Sequence, residues 1–176
     1  HGLGFGVFIY DYRGYGKSTG SPDEQGLYDD AQAALTDLRA RSDLDPDRIT
    51  LYGYSLGTGV ASNLAVESPQ AALILEAPYT SMRDMIERSG PYPLPADWVS
   101  EAVFDTLGRI AQIACPLVVV HGDNDRRIRP WMGRRVFDAA PEPKRFVAVP
   151  GAGHQSAFKK ASDEVIAALR EIAPEI

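Results

Sequence analysis

Ile49-Thr50-Leu51-Tyr52-Gly53-Tyr54-Ser55-Leu56-Gly57-Thr58-Gly59 is the stretch on which the fold turns. It is a short apolar run, then a pentapeptide of the form Gly-x-Ser-x-Gly, then small residues that open a helix-forming run, Leu56–Glu67. A serine at such a strand-to-helix corner sits on a tight, strained turn, and flanking glycines let the two elements approach. The corner also places the serine oxygen at a helix N-terminus, where the Leu56 amide can point at a developing oxyanion. With 16 glycines in the chain, the pentapeptide alone carries modest weight. Its position between a strand and a helix is what raises Ser55 from a residue in a Gly-rich turn to a candidate nucleophile.

Outward from this corner, strand-like and helical patterns alternate. Phe5–Tyr10 (FGVFIY) is a near-continuous apolar run. Glu24–Arg41 repeats apolar residues at helical spacing through Leu27, Ala31, Ala34, Leu35 and Leu38. Asp45-Pro46-Asp47 is a turn, and Arg48–Tyr52 is a strand. Ala72–Leu75, Leu117–Val120 and Arg145–Val149 follow as strands. Pro130–Ala140 is a helix opened by proline, and Gln155–Ile172 reads as one amphipathic helix. Continuous apolar strands between helices predict an α/β fold, a mostly parallel sheet with helices on both faces. Such sheets gather ligands at the carboxyl ends of their strands. Residues 77–112 break the alternation with Pro78, Pro91, Pro93 and Pro95 and short helical pieces. We read them as a small cap inserted in a single domain, since they are too few to hold a core.

The chain has 176 residues, is 44% hydrophobic and 24% charged, and carries a formal charge of −6. That size allows one real core. The acidic balance argues against nucleic acid or an anionic membrane as partner, because both select a basic face. No apolar run reaches the ~20 residues of a membrane span, and no signal peptide is visible, so the expectation is a cytoplasmic protein. The lone Cys115 excludes an internal disulfide and, in IACPLVVV, reads as a buried strand thiol.

A neutral serine needs a base. Of the three histidines, His154 lies in PGAGHQS directly after the last strand, on the same sheet edge as Ser55. His121 ends LVVV and reads as a structural hydrogen-bonder, and His1 is terminal. The acid is sought after a strand between Ser55 and His154. His121-Gly122-Asp123-Asn124-Asp125 offers Asp125, our choice, and Asp123; Glu76 at the end of the preceding strand is a third carboxylate. The acid's work is to orient the imidazole and stabilise its charged form.

Five segments in order, DYRGYGKSTG (11–20), LYGYSLGTGVA (51–61), LEAPYTS (75–81), CPLVVVHGDND (115–125) and PGAGH (150–154), resemble the serine-aminopeptidase-like, small-cap branch of the α/β-hydrolase superfamily. The resemblance covers nearly all of residues 4–172. It implies an α/β-hydrolase fold, an acid supplied by the last position of the HGxxD loop (Asp125), and a structural role for Asp11 and Arg13. It also implies acyl transfer to Ser55 and hydrolysis through His154, with no cofactor and no metal. The expected substrates are carboxylic esters with short to medium acyl chains. An amidase or peptidase using the same three residues, and a weakly active core acting as an assembly module, are the alternatives.

Set against that family, the chain lacks the strands preceding Phe5–Tyr10 and the His-Gly loop that supplies a second oxyanion amide. His1-Gly2 comes before a strand instead of after one. Weak turnover is the expectation. The family places a strand between Phe5–Tyr10 and Arg48–Tyr52, so a gap in the sheet is also expected. It would be closed by Phe5–Tyr10 sliding beside Arg48–Tyr52, or by a homo-oligomer formed through the exposed sheet edge. The resemblance also predicts a proline one place earlier than Pro130, and the arginines of Arg126-Arg127-Ile128-Arg129 make this loop more basic than expected.

Overall fold

The computed structural model of the chain describes residues 5–89 and 103–176. Four parallel strands, β1 (Thr50–Tyr54), β2 (Ala72–Glu76), β3 (Leu117–Gly122) and β4 (Lys144–Val149), pair in the order β1-β2-β3-β4. Each crossover carries helix: α2 (Gly57–Glu67) between β1 and β2, α3 (Met82–Ser89) and α4 (Thr106–Ile110) between β2 and β3, and α5 (Pro130–Ala139) between β3 and β4. Helix α1 (Glu24–Arg39) precedes the sheet. Helices α6 (Ala157–Lys160) and α7 (Ser162–Ile172) close the chain.

The apolar runs of the central strands are continuous because both faces are covered. In β2, Leu73 and Leu75 join Ala61 and Ala65 of α2 and Val136 of α5 on one face. The intervening Ala72 and Ile74 join Val165 and Leu169 of α7 on the other. Strand β3 divides in the same way, Leu117 and Val119 against Val118 and Val120. The period-two side-chain alternation of a strand thus feeds two cores at once. Helix α1 starts where Asp23 accepts a hydrogen bond from the Gly26 amide at 2.8 Å, and it buries Leu27, Ala31 and Leu35 in a third cluster shared with α2. Cys115 is buried, and burial pushes its thiol up.

Two expectations fail. Phe5–Tyr10 forms no strand and pairs with no element among the described residues; Val7 is 72% and Ile9 84% exposed. Apolar composition makes a strand only where a neighbour offers a ladder, and this segment does not slide beside β1. It is held instead by its ends. Phe5 packs against the cluster under α7, and Tyr10 packs against that of α1 and α2, meeting Tyr12 edge to face at 5.2 Å.

The single helix read over Gln155–Ile172 is two, broken at Ala161 (φ −124°, ψ 27°). The Phe158 amide donates to Glu76 Oε1 at 2.8 Å, and this bond to a sheet carboxylate sets the short first turn apart from the helix lying on the sheet. The proline-rich centre of the segment read as a cap lies outside the described residues. Among the described residues, no helix is long and apolar enough to cross a membrane.

Candidate active site

Ser55 joins β1 to α2 with φ at 52°, a left-handed conformation that costs a non-glycine residue about 1–3 kcal/mol. The surroundings hold it there. Its amide donates to Glu76 O at 3.0 Å, and its carbonyl accepts from the Thr58 amide at 2.9 Å and Thr58 Oγ1 at 2.6 Å. The glycine reading needs adjusting. A Cβ on Gly53 would lie 2.6 Å from Gly57 O and 2.9 Å from Ala61 Cβ, so Gly53 is what lets α2 lie on β1. A Cβ on Gly57 would meet only Tyr12 Oη, at 3.7 Å. The second close approach is at Gly59, against Tyr79 Oη and the Phe104 side chain. Tyr79 also donates to Leu56 O at 3.3 Å, steadying the turn from the far side. Leu56 immediately precedes α2, so its N–H is among the helix-end donors that no carbonyl of the helix takes up.

The other two candidates arrive on loops beyond the strands carrying them. After β4, Gly151 (φ 66°) turns the chain, and its amide donates to Asp123 Oδ1 at 2.7 Å. Asn124 N donates to Ala152 O at 3.0 Å, and a side chain on Gly122 would collide with that same carbonyl. The two loops are therefore clamped together, and Asp123 is part of the clamp. His154 then lies between its partners: Nδ1 is 2.8 Å from Asp125 Oδ2, and Nε2 is 3.0 Å from Ser55 Oγ. Tyr54, inside the pentapeptide, donates to His154 O at 3.1 Å and lays its ring 5.2 Å from the imidazole.

Asp125 is 2% exposed. Burial works to raise its carboxyl. The side chains of His121 and His154, the His154 charge and the Ile128 amide outweigh it, and the carboxyl is held well below the usual carboxylate range. Its two oxygens divide the work. Oδ1 accepts from the amides of Arg127 at 2.8 Å and Ile128 at 3.0 Å, while Oδ2 faces His154. His121, 1% exposed, donates from Nε2 to Ile128 O at 3.0 Å and has the same Nε2 3.6 Å from Asp125 Oδ2. It is the structural hydrogen-bonder expected, and it also supports the carboxylate. Glu76 binds Tyr52 Oη and the Phe158 amide, away from the imidazole. Asp11 and Arg13 work within their own region: Arg13 forks onto Asp30 at 2.7 and 3.0 Å, and Asp11 accepts from the Lys17 amide. The supporting tyrosines, Tyr54 and Tyr79, were not singled out from sequence; their one legible signal was their place in YGYSLG and EAPYTS.

A family model described as the alpha/beta hydrolase fold matches residues 1–93. The chain belongs to the α/β-hydrolase fold family. Among its relatives are an uncharacterised protein of Mycobacterium tuberculosis, 44% identical over 154 residues (88% of this chain, 54% of the relative), and the human alpha/beta hydrolase domain-containing protein 17B, 34% identical over 148 residues (84% and 50%). The chain spans about half the length of these curated relatives. Among solved α/β-hydrolase structures, a monoacylglycerol lipase from Paleococcus ferrophilus superposes with a TM-score of 0.69 at 18% identity, over 99% of this chain and 86% of the lipase.

Two measurements test this geometry. Gly53→Ala should cost about 1–3 kcal/mol, because backbone and helix atoms must give way. Gly57→Ala should change stability by less than about 0.5 kcal/mol. Urea unfolding midpoints compare them, and equal losses would contradict the placement of α2 on β1. The second concerns acid. Because Asp125 sits below its unfolded value, the unfolded chain takes up the proton first as pH falls. Its stabilisation should be complete above about pH 4 and lost progressively below it. Asp125→Asn should flatten that slope in unfolding curves, and an unchanged slope would contradict the depressed carboxyl.

Proposed function

We propose that the chain is a serine hydrolase that cleaves carboxylic esters with short to medium acyl chains. The observation that carries the proposal is the relay of 2.8 and 3.0 Å from Asp125 through His154 to Ser55, reached from three separate loops at one sheet edge. In this reading Ser55 Oγ attacks the ester carbonyl while His154 Nε2 takes the hydroxyl proton. Asp125 keeps Nδ1 protonated and stabilises the imidazolium. The Leu56 amide donates to the oxyanion. Collapse breaks the ester C–O bond, and His154 returns the proton to the departing alkoxide. A water activated by the same nitrogen then attacks the acyl-enzyme and frees Ser55.

The test is labelling with a fluorophosphonate, which reports an activated serine without the natural substrate. Ser55 should be the labelled residue, and Ser55→Ala should abolish both labelling and p-nitrophenyl ester hydrolysis; hydrolysis surviving that change would end the proposal. Asp125→Asn should lower turnover about a thousandfold or more, because the imidazole loses its orienting anion. Asp123→Asn keeps an acceptor for the Gly151 amide and should cost less than about tenfold. The reverse order would move the acid to Asp123.

A second reading, self-association, is favoured by the exposed Val7 and Ile9 and by the position of β1 at the end of the described sheet. A strand edge at the end of a sheet invites a second copy, and exposed apolar side chains add surface to bury. Light scattering at micromolar concentration should show a dimer or larger, and a clean monomer would remove this reading.

A further inference from the structure

Glu76 ends β2 with only 5% of its surface exposed, and no step of the reaction uses it. Among the described residues its side-chain partners are a hydroxyl and an amide, with no basic group. Tyr52 Oη donates to Oε2, and the Phe158 amide donates to Oε1 at 2.8 Å. A buried carboxylate without a cation is costly unless such bonds take up its oxygens. Side chains alternate along a strand, so Glu76 shares the face of Ala72 and Ile74, which lie in the core under α7. Register sets Tyr54 of β1 directly beside Glu76. Tyr52, two residues back, is on that face too, and its ring meets Phe158 edge to face at 5.4 Å.

Three hydrogen bonds run from Tyr54 and Glu76 to the segments carrying Ser55 and His154. Glu76 O accepts from the Ser55 amide at 3.0 Å. Tyr54 Oη donates to His154 O at 3.1 Å, and the Glu76 carboxylate takes the Phe158 amide, four residues further on. The stretch from His154 to Phe158 is thus held at both ends by adjacent residues of β1 and β2. The second hold replaces a local one. Ser156 stands where a serine commonly caps a helix, yet it gives α6 no cap bond; its Oγ accepts from the Gly153 amide at 3.1 Å instead. Glu76 supplies from the sheet the acceptor that the loop does not.

We propose that Glu76 is a positioning residue: by holding the Phe158 amide it fixes the loop that sets His154 Nε2 at 3.0 Å from Ser55 Oγ, while its own carbonyl holds the Ser55 amide. This rests on the serine-hydrolase reading and deepens it by naming what aligns the base. The side chain acts through backbone, so its reach matters and its charge does not. An uncharged acceptor of the same length serves as well.

The test separates reach from charge. Glu76→Gln keeps an acceptor for the Phe158 amide and can donate to Tyr52 Oη, so its kcat for p-nitrophenyl butyrate should stay within about threefold of wild type. Glu76→Asp keeps the charge but draws the carboxylate back by one methylene. It should lower kcat by about tenfold to a hundredfold, the scale of a small misplacement of the base, with KM within about twofold. Rates are taken per serine titrated to completion with fluorophosphonate, so loss of folded protein does not count. Val136→Ala, in the core on the opposite face of the sheet, should lower the unfolding midpoint and leave kcat within about twofold. Unchanged kcat in Glu76→Asp would overturn the proposal, and so would a loss in Glu76→Gln as large as that in Glu76→Asp.

The downfield proton signal of His154 Nδ1, followed by NMR in the Ser55→Ala protein, reads the alignment without turnover. Adding Glu76→Asp should shift or broaden that signal, and adding Glu76→Gln should leave it in place. That pattern supports the positioning role even if Ser55 proves unreactive. A signal unmoved by Glu76→Asp overturns it even if Ser55 is labelled.

Discussion

A serine with φ at 52° survives at the end of β1 because α2 presses down on that strand, and α2 can do so only where Gly53 carries no side chain. The strain of the turn, about 1–3 kcal/mol, is offset by packing spread over the interface. Ala61 and Ala65 of α2 are buried against Leu73 and Leu75 of β2. Tyr79, fitted against Gly59, adds a bond to the Leu56 carbonyl from the opposite side. The placement of Ser55 against His154 is thus a by-product of helix-on-sheet packing. Anything that lifts α2 from β1 lets the backbone relax and withdraws the serine from His154.

The parallel sheet supplies the second requirement, a common edge. Because β1, β3 and β4 run the same way, their carboxyl ends release Ser55, Asp125 and His154 on one side. The last few ångströms are closed by short bonds between loops. Asp123 takes the Gly151 amide, Asn124 takes the Ala152 carbonyl, and Tyr54 reaches from beside Ser55 to the His154 carbonyl. These contacts join all three loops without using the side chains of Ser55, Asp125 or His154.

Much of this was legible in the chain. The four strands of the sheet were marked by apolar runs, and the helices by apolar period and by Pro130. The three residues that meet were marked by their place just past strand ends. The illegible parts share a cause: each depends on a neighbour distant in sequence. Phe5–Tyr10 reads as a strand from composition, but a strand exists only in pairs. Just before the break at Ala161, the Phe158 amide bonds to Glu76, 82 positions away. Gly57 and Gly59 look alike in SLGTG, and only the position of Tyr79 shows that Gly59 is the one with no room for a side chain.

Asp125 shows how burial, charge and geometry combine at this edge. An almost fully buried carboxylate is costly unless its lone pairs are occupied, and here both oxygens are engaged, one by backbone amides and one by His154. The amides are those of Arg127 and Ile128, so the loop closes around the carboxylate as the carboxylate orients the imidazole. His121 stands behind the pair, its Nε2 shared in direction between Ile128 O and Asp125 Oδ2. Protonating Asp125 would weaken all of these contacts together, which is why their combined pull keeps the carboxyl low despite burial. The position of the imidazole and the position of the basic loop are therefore one structural variable, set by a single side chain. The backbone of that loop therefore moves with the residue that aligns His154.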